Sequence, residues 1–200
     1  MMIVMSALAL VGLIGWGLPY LLRPVSVGEA VAPDPTEYPD AVVQVYGADV
    51  WGIRGRFAIH TWIATKAQHA ETYTIYHVLG WRKLRGKSVV SIEEGVPNMK
   101  WFGSDPTLLL DKRGEDARKL IGQIDQAARQ YPYPNSYTMW PGSNSNSFIA
   151  WIALKVPAFE LALPAKALGK NWMESTFRKA RRAPGSSVLL NCTSSLRRSP

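Results

Sequence analysis

From Met1 to Leu22 almost every position is apolar and none is charged. As a helix these 22 residues would extend about 33 Å, enough to cross a bilayer core of about 30 Å. Trp16 and Tyr20 lie toward the far end, where amphipathic rings favour the membrane interface. The pattern predicts an N-terminal transmembrane helix. A cleavable signal peptide competes with it. The start lacks the Lys or Arg of an n-region, while Val27, Gly28 and Ala30 supply small residues near a possible cleavage point.

The pattern then breaks. Residues 23–40 hold four prolines and four acids and read as an extended linker. Residues 41–48 (AVVQVYGA) have the β-branched density of a strand, and 56–66 (RFAIHTWIATK) are apolar on both faces, as in a central strand. A third strand is expected over 71–81, with weaker ones near Ser88–Ile92 and Met99–Phe102. Over 114–131 the period changes: Ala117, Leu120, Ile121, Ile124, Ala127 and Ala128 recur at three and four, and Pro132 stops the helix. Residues 136–140 read as a short strand, PGSNSN as a turn, and 147–156 as a buried apolar helix ended by Pro157. Residues 171–200 have no apolar period and read as a basic, disordered tail. The expected architecture is therefore one α+β domain over 41–170, with a mainly antiparallel sheet and two principal helices.

Composition narrows the class. Apolar residues make up 47% and charged residues 19%, which excludes wholesale disorder. One cysteine excludes a disulfide framework and any multi-cysteine metal site within the chain, and Cys192 reads as a free thiol in the tail. The formal charge of +8 is unevenly spread: residues 170–200 carry seven basic side chains against Glu174 alone. Basicity concentrated in a tail is no nucleic-acid surface, so no nucleic-acid partner is expected. Arg23 alone follows the apolar run closely and acids dominate the next residues, so positive charge does not hold the domain on the cytoplasmic side. The domain is therefore expected on the side of the membrane away from the cytoplasm.

Candidate chemistry is sparse. Gly86-Lys87-Ser88 echoes a phosphate loop, but five residues separate Gly80 from Gly86 and the flanks read as strands, so a basic hairpin turn explains it. His60, His69 and His77 lack metal-site spacing; neither metal nor cofactor is expected. If 56–66 and 71–81 form a hairpin centred between 68 and 69, partner numbers sum to 137 and His60 faces His77. Asn144, Ser145 and Asn146 open an apolar helix, and each could serve as a cap. A hydroxyl there could also act as a nucleophile, since the helix terminus offers free N–H groups to an oxyanion.

The stretches AVVQVYGA, IHTWIATK, YTIYHVLGW, LLLDKRGEDA and YPYPNSYTMWPGSNSNSF resemble the bacterial family called domain of unknown function 3750, from about Ala41 to Lys170. That resemblance implies a membrane-anchored envelope protein, at a bacterial inner membrane with its domain in the periplasm. Asn144-Ser145-Asn146-Ser147-Phe148 also resembles, more remotely, the Asn-Cys-x-x-Phe motif of circularly permuted papain-like proteins such as cell-wall peptidases and lecithin retinol acyltransferase. By that resemblance Ser145 takes the nucleophile's place, His60 the base's and His77 the orienting residue's, with all three on one face of the sheet. Serine in place of cysteine removes a partly ionised nucleophile and demands strong base assistance. Two functions are open: amide or ester acyl transfer, or a non-catalytic envelope module binding a peptide, glycan or lipid in the same cleft.

Overall fold

The computed structural model describes residues 32–173 and 175. The expected helix over 1–22, most of the linker and nearly all of the tail, with Cys192, lie outside the described residues. Five strands build one antiparallel sheet: β1 (Val42–Asp49), β2 (Ile59–Lys66), β3 (Tyr73–Val78), β4 (Val90–Gly95) and β5 (Thr107–Arg113), in spatial order β4-β3-β2-β1-β5. Two helices, α1 (Gly114–Arg129) and α2 (Ser145–Lys155), complete the α+β domain. No helix among the described residues is long and apolar enough to cross a membrane.

β2 is the middle strand and every one of its residues is buried, which explains its two-sided apolarity. Ile63 faces the helices, in one core with Val43, Val45, Tyr76, Ile124, Phe148, Ile149 and Ile152. α1 begins with Glu115 and Asp116, whose charge suits a helix N-terminus, and buries the three-and-four stripe from Ala117 to Ala128. Trp151 Nε1 donates to Ala127 O at 2.8 Å and ties the two helices together. Trp62 and Ala64 face the other way, into a smaller core with Val42, Tyr46, Tyr73 and Ile75. Loops cover that side. Tyr38, Met99, Trp101 and Leu108 pack on it, and Trp62 Nε1 donates to Pro97 O at 2.7 Å.

Several local expectations change. Residues 52–56 form a 3-10 helix, and β2 begins only at Ile59. Residues 99–102 hold no strand, only isolated bridge positions at Met99 and Trp101, the latter paired with Ser104, and 136–140 form none. β5 is unexpected from the pattern because of its Asp-Lys-Arg end: it is a half-exposed edge strand whose polar side meets solvent. Packing also runs past Lys170, since Met173 is buried in the main core and the Trp172 and Tyr133 ring centroids lie 4.8 Å apart.

The hairpin register differs too. Ile63 pairs with Tyr76 and Ala64 with Ile75, so partner numbers sum to 139 rather than 137. The connection between β2 and β3 is centred one residue later, with His69 at φ 60°. His60 is therefore not directly opposite His77. A slip of two leaves each side chain on its original face, whereas a slip of one would turn Trp62 and Ile75 out of their core.

Candidate functional site at one end of the sheet

A cavity of about 360 Å³ lies where β2 and α2 both begin. Four connections wall it with large apolar side chains: Trp51 and Phe57 beside the 3-10 helix Gly52–Arg56, Trp81 in the 3-10 helix Gly80–Arg85, Trp101 and Phe102 at the bridge, and Met139 and Trp140 before α2. Tyr137 completes this wall by packing on bare backbone; a Cβ at Gly80 would meet its ring at 2.7 Å. Ile59, His60, Asn144, Ser145 and Asn146 contribute the sheet and helix ends. Arg54 is the one charged side chain among the described lining residues.

The helix start is fixed by its polar run. Asn144 caps α2 reciprocally with Ser147: Ser147 N donates to Asn144 Oδ1 at 3.0 Å, and Asn144 N donates to Ser147 Oγ at 2.8 Å. Asn144 Nδ2 also donates to Met139 O and Leu168 O. Asn146 Nδ2 donates to Ile59 O and Leu168 O, while its Oδ1 accepts from Thr61 Oγ1 at 2.9 Å. These bonds anchor the helix to the first residues of β2. Ser145 is left over. Its hydroxyl enters no hydrogen bond among the described residues, and it faces the cavity at the helix N-terminus.

α2 packs against the Ile63 side of the sheet, whereas the His60 side chain projects on the Trp62 side with its ring near Trp62 and Trp101. The expected sharing of one sheet face by Ser145 and both histidines is thus corrected. Ser145 meets the His60 cavity only because α2 starts beside the end of the strand. No hydrogen bond joins Ser145 to His60 among the described residues.

His60 is 5% exposed, and its ring stacks on Trp101 at 3.6 Å between centroids with the planes 5° apart. Burial holds its pKa well below the usual imidazole value, with a smaller contribution from His77. It is neutral near pH 7, and its buried Nε2 has no partner among the described residues. The His77 ring stands edge-on to it at 6.0 Å, which is contact rather than an orienting hydrogen bond. His77 does not line the cavity. Its Nε2 lies 3.4 Å from Glu93 Oε1, and that contact pulls the Glu93 carboxyl down to about 2.

The lining aromatics escaped sequence reasoning because they sit in turns, where apolar periodicity carries no information. A signal existed nonetheless: Trp51-Gly52, Gly80-Trp81, Trp101-Phe102-Gly103 and Trp140-Pro141-Gly142 each place tryptophan beside turn-forming glycine. Among the described residues no group of three His, Cys, Asp or Glu could hold a metal ion.

Fold and site together define a single-sheet α+β domain with an aromatic-walled cavity at one end of the sheet. A family model matches residues 40–172, and the chain belongs to that family, described as protein of unknown function (DUF3750). Neither a curated protein nor a solved structure matches the chain.

Proposed function

We infer that the domain binds the apolar portion of an amphiphile, an alkyl chain or ring, and that residues 1–22 hold it at a membrane. The observation that carries the binding reading is the cavity wall, where aromatic and aliphatic side chains surround a few convergent polar groups. The amphiphile's head meets Arg54 and Ser145 Oγ. The uncharged run Met1–Leu22 supports the membrane attachment. Because a bilayer-attached binder meets amphiphiles in its own membrane, lipid-like ligands are favoured over soluble glycans or peptides.

Four of the eight tryptophans line the cavity, so occupancy can be read directly. Titrating the full chain with a monomeric brominated fatty acid should quench tryptophan emission saturably. Trp140→Asp, which places a charge on the wall, should weaken that quenching. Emission that falls only in proportion to free quencher would overturn the reading.

A second reading, acyl transfer at an amide or ester, is favoured by one observation: an unbonded serine hydroxyl at a helix N-terminus shares the cavity with a neutral imidazole. The chain order of strand histidine and then helix-opening Ser145 supports the remote likeness to permuted papain-like proteins. In this reading Ser145 attacks the carbonyl, His60 Nε2 takes its proton, and the backbone N–H groups opening α2 receive the oxyanion. The stack on Trp101 and the missing Ser145–His60 bond weigh against it, so binding is the first choice.

A further inference from the structure

We propose that the rim of this cavity is a docking surface for an anionic lipid bilayer. Eleven large apolar side chains are exposed among the described residues, and nine of them lie on the cavity rim or on the two 3-10 helices that form it. Ile53 is 75% exposed, Leu84 89%, Trp140 66% and Met139 58%. Single exposed apolar residues are ordinary, but a cluster around one opening marks an interaction surface.

Charge selects the partner. Residues 50–57 and 79–88 carry Arg54, Arg56, Arg82, Lys83, Arg85 and Lys87 and no acid. None of the six forms an ion pair among the described residues. Five of them are exposed; Arg82 is the exception, turned back onto Ser88 O and Ser91 Oγ. Exposed apolar side chains interspersed with five exposed cations suit a bilayer interface: the former enter below the headgroups and the latter meet the phosphates. Chain connectivity permits this geometry without selecting it: residues 33–41 join the sheet at the end away from the cavity, about 25 Å of strand from the rim, and the nine residues 23–31 can span about 30 Å. The choice of a bilayer over an acidic protein rests on the membrane attachment proposed above. Docked this way, the cavity opens directly onto the lipid.

The test places an environment-sensitive fluorophore (NBD) at Ile53→Cys, in the full chain carrying Cys192→Ser, reconstituted into vesicles. A control chain carries the fluorophore at Leu154→Cys, on the exposed C-terminal half of α2. Both sites are exposed, so neither label disturbs packing. With vesicles of phosphatidylcholine and phosphatidylglycerol, the Ile53 probe should shift to the blue and be quenched by nitroxide lipids, while the Leu154 probe stays aqueous. The shift should vanish in pure phosphatidylcholine and in high salt. Arg54→Gln should lower the docked-to-undocked ratio about fivefold, the weight of one cation at an anionic leaflet.

Sedimentation of the same samples reads attachment separately. Protein that pellets with the vesicles while both probes stay aqueous overturns docking and leaves attachment standing. Equal burial of both probes, or burial indifferent to anionic lipid, also overturns it. Protein left in the supernatant with an aqueous Ile53 probe overturns docking and attachment together.

Discussion

His60 and Trp101 form a face-to-face stack, with centroids 3.6 Å apart and planes 5° from parallel, and Trp81 extends it at 5.6 Å from Trp101. The indole thus lies between the buried imidazole and the aromatic rim, and it helps to keep water from His60. Trp101→Ala should rehydrate the ring and raise the His60 pKa toward the usual imidazole value, read by NMR titration of the ring protons. It should also weaken quenching by the brominated fatty acid. An unchanged His60 titration would show that Trp101 is not what desolvates it.

The depressed His60 pKa makes stability depend on pH with a definite sign. The unfolded chain takes up a proton near pH 6.5 and the folded chain does not, so the unfolded state binds more protons and stability falls as pH drops below about 6.5. The loss approaches about 1.4 kcal/mol per pH unit and ends below the folded pKa. Glu93 acts lower: its depressed pKa adds stability that is lost as pH falls from 4.5 toward about 2. Thermal midpoints of the detergent-solubilised chain between pH 7.5 and 5 should therefore decline, and His60→Phe should flatten the slope. A slope that survives the substitution would assign it elsewhere.

Asn146 satisfies three groups on two other segments, so its loss should cost more than a surface amide. Asn146→Ala strands Thr61 Oγ1 and Ile59 O and leaves Leu168 O to Asn144 Nδ2 alone, for about 3 kcal/mol. Asn146→Asp should be at least as harmful, because a carboxylate would face two carbonyl oxygens. Urea midpoints decide the matter, and a change within about 0.5 kcal/mol, as for a surface site, would contradict this.

Two glycines should respond in opposite directions. Gly169 has φ +92°, and a Cβ there would lie 2.5 Å from Asn144 Nδ2, pushing the cap off its carbonyl partners. Gly169→Ala should destabilise by about 2–4 kcal/mol. Gly122 lies inside α1, and a methyl group there would have nothing within 4 Å, so Gly122→Ala should stabilise by about 1 kcal/mol. The same denaturation curves read both.

A fluorophosphonate probe separates the two functions. If the cavity only binds, Ser145 stays unlabelled and Ser145→Ala weakens quenching by the fatty acid only by the one head contact it removes, about 1 kcal/mol. If it catalyses acyl transfer, Ser145 is labelled, His60→Ala abolishes labelling, and His77→Ala, which acts only through its contact with His60, weakens it. Labelling that survives His60→Ala would remove His60 as the base.

Much of the frame was legible in local pattern. The apolar run of β2, the three-and-four stripe of α1 and the apolar helix after PGSNSN each bury a large surface, so burial imprints a period on them. Asn144 was legible as one of three candidate caps, and its bond with Ser147 chooses it. The missed pieces bury little or hold no period: β5 at the sheet edge, the 3-10 helices, and the bridge at Trp101.

For the site the division is sharper. The sequence made a shared face for His60 and His77 conditional on the hairpin's register, and the observed two-residue slip keeps it. The chain alone requires polar residues to open α2, since a buried helix start needs its N–H groups satisfied. Long-range packing alone sets α2 on the opposite face, brings Ser145 to the His60 cavity around the end of the strand, and gathers tryptophans from four separate turns there. Those relations join residues up to about ninety positions apart through contacts with no short-range period, so no local pattern in the chain encodes them.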